Sequence, residues 1–159
     1  MLRRVAAGAI VGASLVLSGC ASAPAPAPFT TDGCSLFPDR ASAGQADWCD
    51  CCVAHDLAYW RGGSAAERLE SDRVFRECVR TASRSPALAG TMYGAVRAGG
   101  VPWLPSPFRW GYGWDYGRLY RPLAPGEDAQ AASLRAAWMA DAGSTPAVCR
   151  APDAKTAPM

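Results

Sequence analysis

Cys51-Cys52-Val53-Ala54-His55-Asp56-Leu57-Ala58-Tyr59 is the stretch from which the rest of the chain can be read. Cys51, His55 and Tyr59 recur every four residues, so they share one stripe if the segment is helical. The flanks agree with a helix: Asp47 to Trp60 contains neither Gly nor Pro, and Gly62-Gly63 follows as a stop. Asp56 then projects about 100° around the axis from His55. An imidazole titrates near neutrality and can take a proton from water, while a carboxylate beside it suits a hard cation.

Outward from this segment the pattern stays helical. Ser64-Ala65-Ala66-Glu67 is a capping box, with a serine hydroxyl and a glutamate placed to satisfy the first free amides of a second helix running to about Thr81. Ser85-Pro86 opens a third helix, with Leu88, Met92, Tyr93 and Val96 at helical spacing and Gly99-Gly100 at its end. Thr31 to Ala46 reads as a loop, holding Gly33, Pro38 and Gly44. Within Val101 to Pro125, Trp110-Gly111-Tyr112-Gly113-Trp114 alternates ring and glycine, which predicts a short strand or hairpin arm. A last helix is expected over Glu127 to Ala140, with Leu134 and Trp138 on one face. There are no internal repeats, and the length supports one mainly α domain over residues 32–149.

The beginning of the chain reads as an export leader over residues 1–19. Arg3 and Arg4 precede an uncharged run from Val5 to Leu17, short for a bilayer span, and the run ends in Leu17-Ser18-Gly19-Cys20. This closely resembles the bacterial lipoprotein processing site, which implies lipidation of Cys20 and anchoring in the cell envelope, on the periplasmic side of the outer membrane. Alanine and proline alternate from Ala21 to Pro28, so residues 20–31 are expected to form a semi-rigid tether; residues 150–159 are expected to be a disordered tail. Loss of Arg3 and Arg4 takes 16 basic residues to 14, equal to the 14 acids. That balance gives no electrostatic support to nucleic-acid binding and no basic face for anionic lipid. With Cys20 set aside, Cys34, Cys49, Cys51, Cys52, Cys78 and Cys149 form an even set, the mark of disulfides in an exported domain. The dense group Cys49, Cys51, Cys52 and His55 leaves zinc as a rival, although no second CxxC pair accompanies it.

Cys-Cys-x-x-His-Asp-x-x-Tyr, taken with Asp72 and the cysteine six residues after it in Ser71–Cys78, resembles the two signatures of the secreted phospholipase A2 family. The likeness runs from roughly Asp32 to Cys78, about a third of the chain beyond the leader. It implies an antiparallel helix pair stapled by disulfides, with His55 and Asp72 as catalytic pair, Tyr59 donating its hydroxyl to Asp72, and Asp56 binding Ca2+. The register is physically coherent: in an antiparallel pair, Cys51 opposite Cys78 brings His55 toward Asp72, with Tyr59 a further turn along the same stripe. Hydrolysis of the sn-2 ester of a membrane glycerophospholipid would then use a water activated by His55, an imidazolium steadied by Asp72 and an oxyanion facing calcium.

The chain departs from that family in two places. Ala58 and Ser71 stand where the family carries two mutually bridged cysteines, so a cross-link worth ~2–4 kcal/mol is missing at both ends. The glycine-rich calcium loop of animal enzymes is absent too. Asp32-Gly33-Cys34-Ser35-Leu36-Phe37-Pro38-Asp39 instead resembles the shorter loop of microbial phospholipases A2, implying Asp32 and the Gly33 carbonyl as further metal ligands. The same likeness implies Cys34–Cys52 and Cys51–Cys78 bridges, which leaves Cys49 and Cys149 for each other. The competing readings are a structural His55, Asp56 as a helix charge or partner of Arg61, Asp72 paired to Arg68 or Arg76, and Asp32-Gly33 as a simple turn. The aromatic stretch from Trp103 to Tyr120 either meets a lipid boundary or covers the helix pair. A non-catalytic envelope lipoprotein with a binding or structural role is the alternative for the whole chain.

Overall fold

The computed structural model describes residues 24–41, 46–143 and 146–150. The leader, Cys20 and residues 151–159 of the tail lie outside them. Among the described residues four helices follow one another: α1 (Cys49–Arg61), α2 (Ala65–Ser83), α3 (Pro86–Gly99) and α4 (Pro125–Ala142), with a 3-10 turn at Ala147–Cys149. Among the described residues there is no sheet, only an isolated bridge between Arg40 and Asp47. None of the described helices is long and apolar enough to cross a membrane.

Local sequence explains the helix ends. Ser64 Oγ accepts from the Glu67 amide at 3.2 Å while the Glu67 carboxylate accepts from the Ser64 amide at 2.7 Å, completing the capping box of α2. Ser85 Oγ accepts from the Leu88 amide at 3.2 Å, and Pro86 occupies the first turn of α3, where a missing N–H costs nothing. Cys51 near the start of α1 is bridged to Cys78 late in α2, whereas Tyr59 near the end of α1 meets Asp72 in mid-α2. The two helices are therefore antiparallel. The end of α3 returns to the same place, since Arg97 meets Asp72.

Among the described residues three disulfides are present: Cys34–Cys52, Cys51–Cys78 and Cys49–Cys149. Two apolar clusters flank α1. One joins Cys34, Trp48, Cys52, Phe75, Val79 and Met92 between α1, α2 and α3; the other gathers Phe29, Val53, Trp60, Trp114 and Ala131 on the side of α4. The second cluster corrects the tether reading for its later residues. Phe29 is buried, with its ring edge-on to Trp60 at 5.9 Å and to Trp138 at 4.8 Å. Ala27 exchanges backbone and indole hydrogen bonds with Gly113 and Trp60. Burying one phenylalanine is worth about 1.5–3 kcal/mol, enough to hold this stretch against the domain.

Trp110 to Trp114 is not a strand or hairpin arm. Its donors go to the end of α1 instead: Gly111 N to Tyr59 O at 2.6 Å, Gly113 N to Trp60 O at 3.2 Å and Trp114 Nε1 to Arg61 O at 2.7 Å. The last carbonyls of a helix lack partners within it, and this loop supplies them. Close approach explains the glycines. A Cβ on Gly113 would sit 2.5 Å from Trp60 Cδ1, and one on Gly62 would sit 2.8 Å from the Gly111 Cα. Trp110 and Trp114 are buried as cover for the helix end, as one of the two readings of the aromatic stretch expected, while Trp103, Phe108 and Tyr116 stay exposed.

The start of α4 is held by a buried acid. Glu127 accepts from Arg118 Nη1 and Nη2 at 2.9 and 2.6 Å, from Arg121 at 3.0 Å and from the Ala124 amide at 2.9 Å. The Arg118 bonds, then the amide, draw its pKa from 4.5 down to about 2. A depressed carboxylate stabilises the fold above its unfolded pKa and loses that contribution as pH falls through the folded one. Melting temperatures should therefore separate the native chain from Glu127→Gln at neutral pH, with the native chain the more stable, and the gap should close as pH falls from 4.5 toward 2.

Candidate active site

α1 points His55 between two rings, Tyr59 at 4.2 Å and Phe75 at 4.5 Å between centroids. Its Nε2 lies 2.8 Å from Asp72 Oδ1, and Asp72 is fully buried. Burial raises the Asp72 pKa, but hydrogen bonds from His55, Arg97 and Tyr59 outweigh it and hold the group below the usual carboxylate range. Asp72 is thus an acceptor, so Nε2 carries the hydrogen and Nδ1 of the neutral ring is left to accept. Burial lowers the His55 pKa and the Asp72 contact only partly offsets this, so the ring is neutral at physiological pH.

The carboxylate is crowded with donors. Tyr59 Oη donates to Oδ1 at 2.9 Å and Arg97 Nη1 to Oδ2 at 2.5 Å, with Arg68 Nε 3.9 Å away. Arg68 is itself buried. It donates to Tyr59 Oη at 2.9 Å, to Tyr120 Oη at 2.8 Å and to the carbonyls of Val96 and Arg97 at 2.9 and 2.8 Å. Because Tyr59 Oη accepts from Arg68, its own hydrogen is free for Asp72. Of the simpler pairings open to these acids, Asp72 does lie near Arg68, and Arg76 instead sits over the Tyr93 ring. Arg97 has no counterpart in the sequence reading, since its meeting with Asp72 depends on how α3 folds back.

His55 and Asp56 open together on a cleft of about 600 Å3, shared with Asp32, Gly33, Leu36 and Phe108. Asp56 does not pair with Arg61, which instead binds Asp128 and Glu67. Its partner is Thr31, whose Oγ1 donates to Oδ2 at 2.6 Å. Burial pushes the Asp56 pKa up to about 7; the Thr31 bond opposes this and the like charge of Asp32 adds to it. Gly33 has φ +80°, and its amide donates to Thr31 Oγ1 at 3.1 Å, while Ser35 Oγ donates to Asp32 Oδ1 at 2.7 Å. Comparison with protein-family models, with curated proteins and with solved structures finds no match to this chain. The site therefore has to be argued from its own chemistry.

Asp32 adds to the cost of ionising Asp56, which has no basic partner among the described residues, and the two acids offer an all-oxygen donor set suited to a hard cation. Among the described residues no group of three or more His, Cys, Asp or Glu side chains comes together as a metal cage. A cation here would take Asp56 and Asp32 with backbone carbonyl, water or ligand oxygens. The cysteines considered for zinc, Cys49, Cys51 and Cys52, are all in disulfides and offer it no thiolate.

Ala58 lies about two turns after Cys51 on α1, and Ser71 about two turns before Cys78 on α2, so the antiparallel register aligns them. Both border a second groove beside α4, and Ser71 Oγ is buried without a partner. The double variant Ala58→Cys, Ser71→Cys should form a fourth disulfide on oxidative refolding, with no free thiol at these positions, and gain about 2–4 kcal/mol in denaturant unfolding. Two titratable thiols in the folded double variant would show the register to be wrong.

Proposed function

We propose that the chain is a calcium-dependent phospholipase A2 that hydrolyses the sn-2 ester of glycerophospholipids with a water activated by His55. The observation that carries this reading is the His55 Nε2–Asp72 Oδ1 contact, which commits one ring nitrogen to a buried carboxylate while the ring opens on a cleft shared with two acids. The likeness of Cys51–Tyr59 and Asp72–Cys78 to the phospholipase A2 signatures supports the same fold and role.

In this reading Nδ1 of His55 removes a proton from water as the oxygen attacks the ester carbonyl. The imidazolium that forms is steadied by Asp72, whose ionised state the surrounding donors protect. The proton then passes to the departing glycerol oxygen as the acyl C–O bond breaks, releasing a fatty acid and a lysophospholipid and restoring the neutral ring. Asp56, Asp32 and the Gly33 carbonyl would hold Ca2+, which when bound supplies a positive charge against the developing oxyanion. Tyr59 acts behind the ring, by its bond to Asp72.

A lipid substrate is supported by the rim of the cleft. Leu36 is 93% exposed and Phe108 42% exposed, and both border the opening, with Trp103 and Leu104 on the same loop as Phe108. Large apolar side chains held out around a polar site suit contact with a membrane surface. The leader, the lipid on Cys20 and an outer-membrane, periplasmic location belong to the same proposal.

Hydrolysis of a mixed-chain phospholipid should require calcium, stop with chelator, and fall by about 10²–10⁴ in His55→Gln. Turnover that ignores chelator, or survives the substitution, rejects this mechanism; a folded native chain with no turnover favours the non-catalytic alternative. The rim makes a separate prediction. Leu36→Ser should weaken hydrolysis of vesicles by about tenfold or more, the equivalent of losing one buried leucine, and leave hydrolysis of a dispersed short-chain ester unchanged.

A further inference from the structure

The two oxygens of Asp72 have different duties. Oδ1 receives both groups from α1, His55 Nε2 and Tyr59 Oη, whereas Oδ2 receives Arg97 Nη1 from α3. The Cβ–Cγ torsion of an aspartate is broad and roughly two-fold, so a carboxylate held at one oxygen can roll about that bond. Rolling would carry Oδ1 away from the ring and let either nitrogen take the hydrogen. A second anchor on Oδ2 removes this freedom.

We propose that Arg97 is the positioning residue of the His55–Asp72 pair: by holding Oδ2 it fixes the roll of the carboxylate, keeps Oδ1 on Nε2 and so reserves Nδ1 as the accepting nitrogen. The inference rests on the reading of His55 as the base. Arg97 acts from behind, since it does not border the cleft, and about a third of its side chain is exposed. An ordinary surface ion pair is worth little, but this one ends on an acid with no access to water, where an unmet oxygen is expensive.

The end of α3, which carries Arg97, is itself held in place. Arg68 reaches across from α2 to bind two carbonyls of the last turn of α3, that of Val96, which also accepts from the Gly100 amide, and that of Arg97. Gly100 then packs so closely on Tyr59 that an added Cβ would lie 2.4 Å from its Cε1. Trp110 N donates to Gly100 O at 2.9 Å and closes the same corner. One buried arginine thus fixes the helix end, and the neighbouring arginine fixes the acid.

The chain has a single histidine, so the two ring nitrogens can be assigned without ambiguity in 15N-labelled protein. At mildly alkaline pH the native chain should show Nε2 protonated and Nδ1 bare. In Arg97→Gln both nitrogen shifts should move toward the average of the two tautomers, and kcat should fall on the order of tenfold or more with KM unchanged. Arg97→Lys, which keeps a donor and a charge, should recover much of the native pattern, whereas a role in packing alone would leave the Lys and Gln variants alike. If Arg97→Gln does not fold, Arg97→Met, which keeps the stem, answers the same question. Ring shifts unmoved in the folded variant, or an unmoved kcat in an active chain, overturn the proposal. A native chain without hydrolysis would remove the enzymatic reading, and the ring-nitrogen comparison would still decide what Arg97 does.

Discussion

A fully buried carboxylate dictates much of this architecture. Asp72 can stay ionised in the interior only if every lone pair finds a donor, because an isolated charge in low dielectric neutralises itself instead. α1 answers with His55 and Tyr59, α3 with Arg97, and α2 with Arg68 one turn before the acid. Three helices therefore converge on one side chain. Removing a partner leaves charge unmet, and that makes their relative placement stiff. The Cys51–Cys78 bridge holds the same register from the other end of the pair.

The end of α1 is the second constraint. Tyr59 belongs to the donor cluster, so the carbonyls of Tyr59, Trp60 and Arg61 need partners without disturbing it. The Gly-rich aromatic loop meets all three, and Phe29 and Trp114 seal the opposite side of Trp60. Scaffold and site are thus continuous. A loop that looks like a decoration of the helix pair terminates the helix carrying His55, and the segment before Thr31, whose hydroxyl binds Asp56, is held by the same packing.

The two places where the chain differs from the phospholipase A2 signatures it resembles have local contacts of their own. Ala58 and Ser71 carry no bridge, and α1 is tied to α2 by Cys51–Cys78 and by the bonds that link His55 and Tyr59 to Asp72 and Tyr59 to Arg68, while Cys49–Cys149 pins the start of α1 to the 3-10 turn. In the short loop, Asp39 Oδ1 accepts from the Cys34 amide at 2.8 Å and Trp48 Nε1 donates to Pro38 O at 2.7 Å. Those bonds shape the loop from within, and Cys34–Cys52 ties it to α1 beside Asp56.

Helices, caps and the stripe of Cys51, His55 and Tyr59 were legible in the sequence because they depend on neighbours within a turn or so. Glu67 reaches Ser64, Leu88 donates to Ser85 at the start of α3, and Gly62 donates back to Ala58 at the end of α1, all through local bonds. The pairing of His55 with Asp72 was also within reach, because the Cys51–Cys78 bridge that the resemblance implies sets one antiparallel register. What period and composition could not supply were contacts made between distant segments. Alternating rings and glycines look alike whether they pair with a strand or plug a helix end, and only the free carbonyls of α1 decided between them. The Ala-Pro stretch reads as a spacer until Phe29 finds Trp60 and Trp138. Arg97 and Thr31 carry no local mark at all: each became part of the site only when packing brought it to a buried acid that had an oxygen to satisfy.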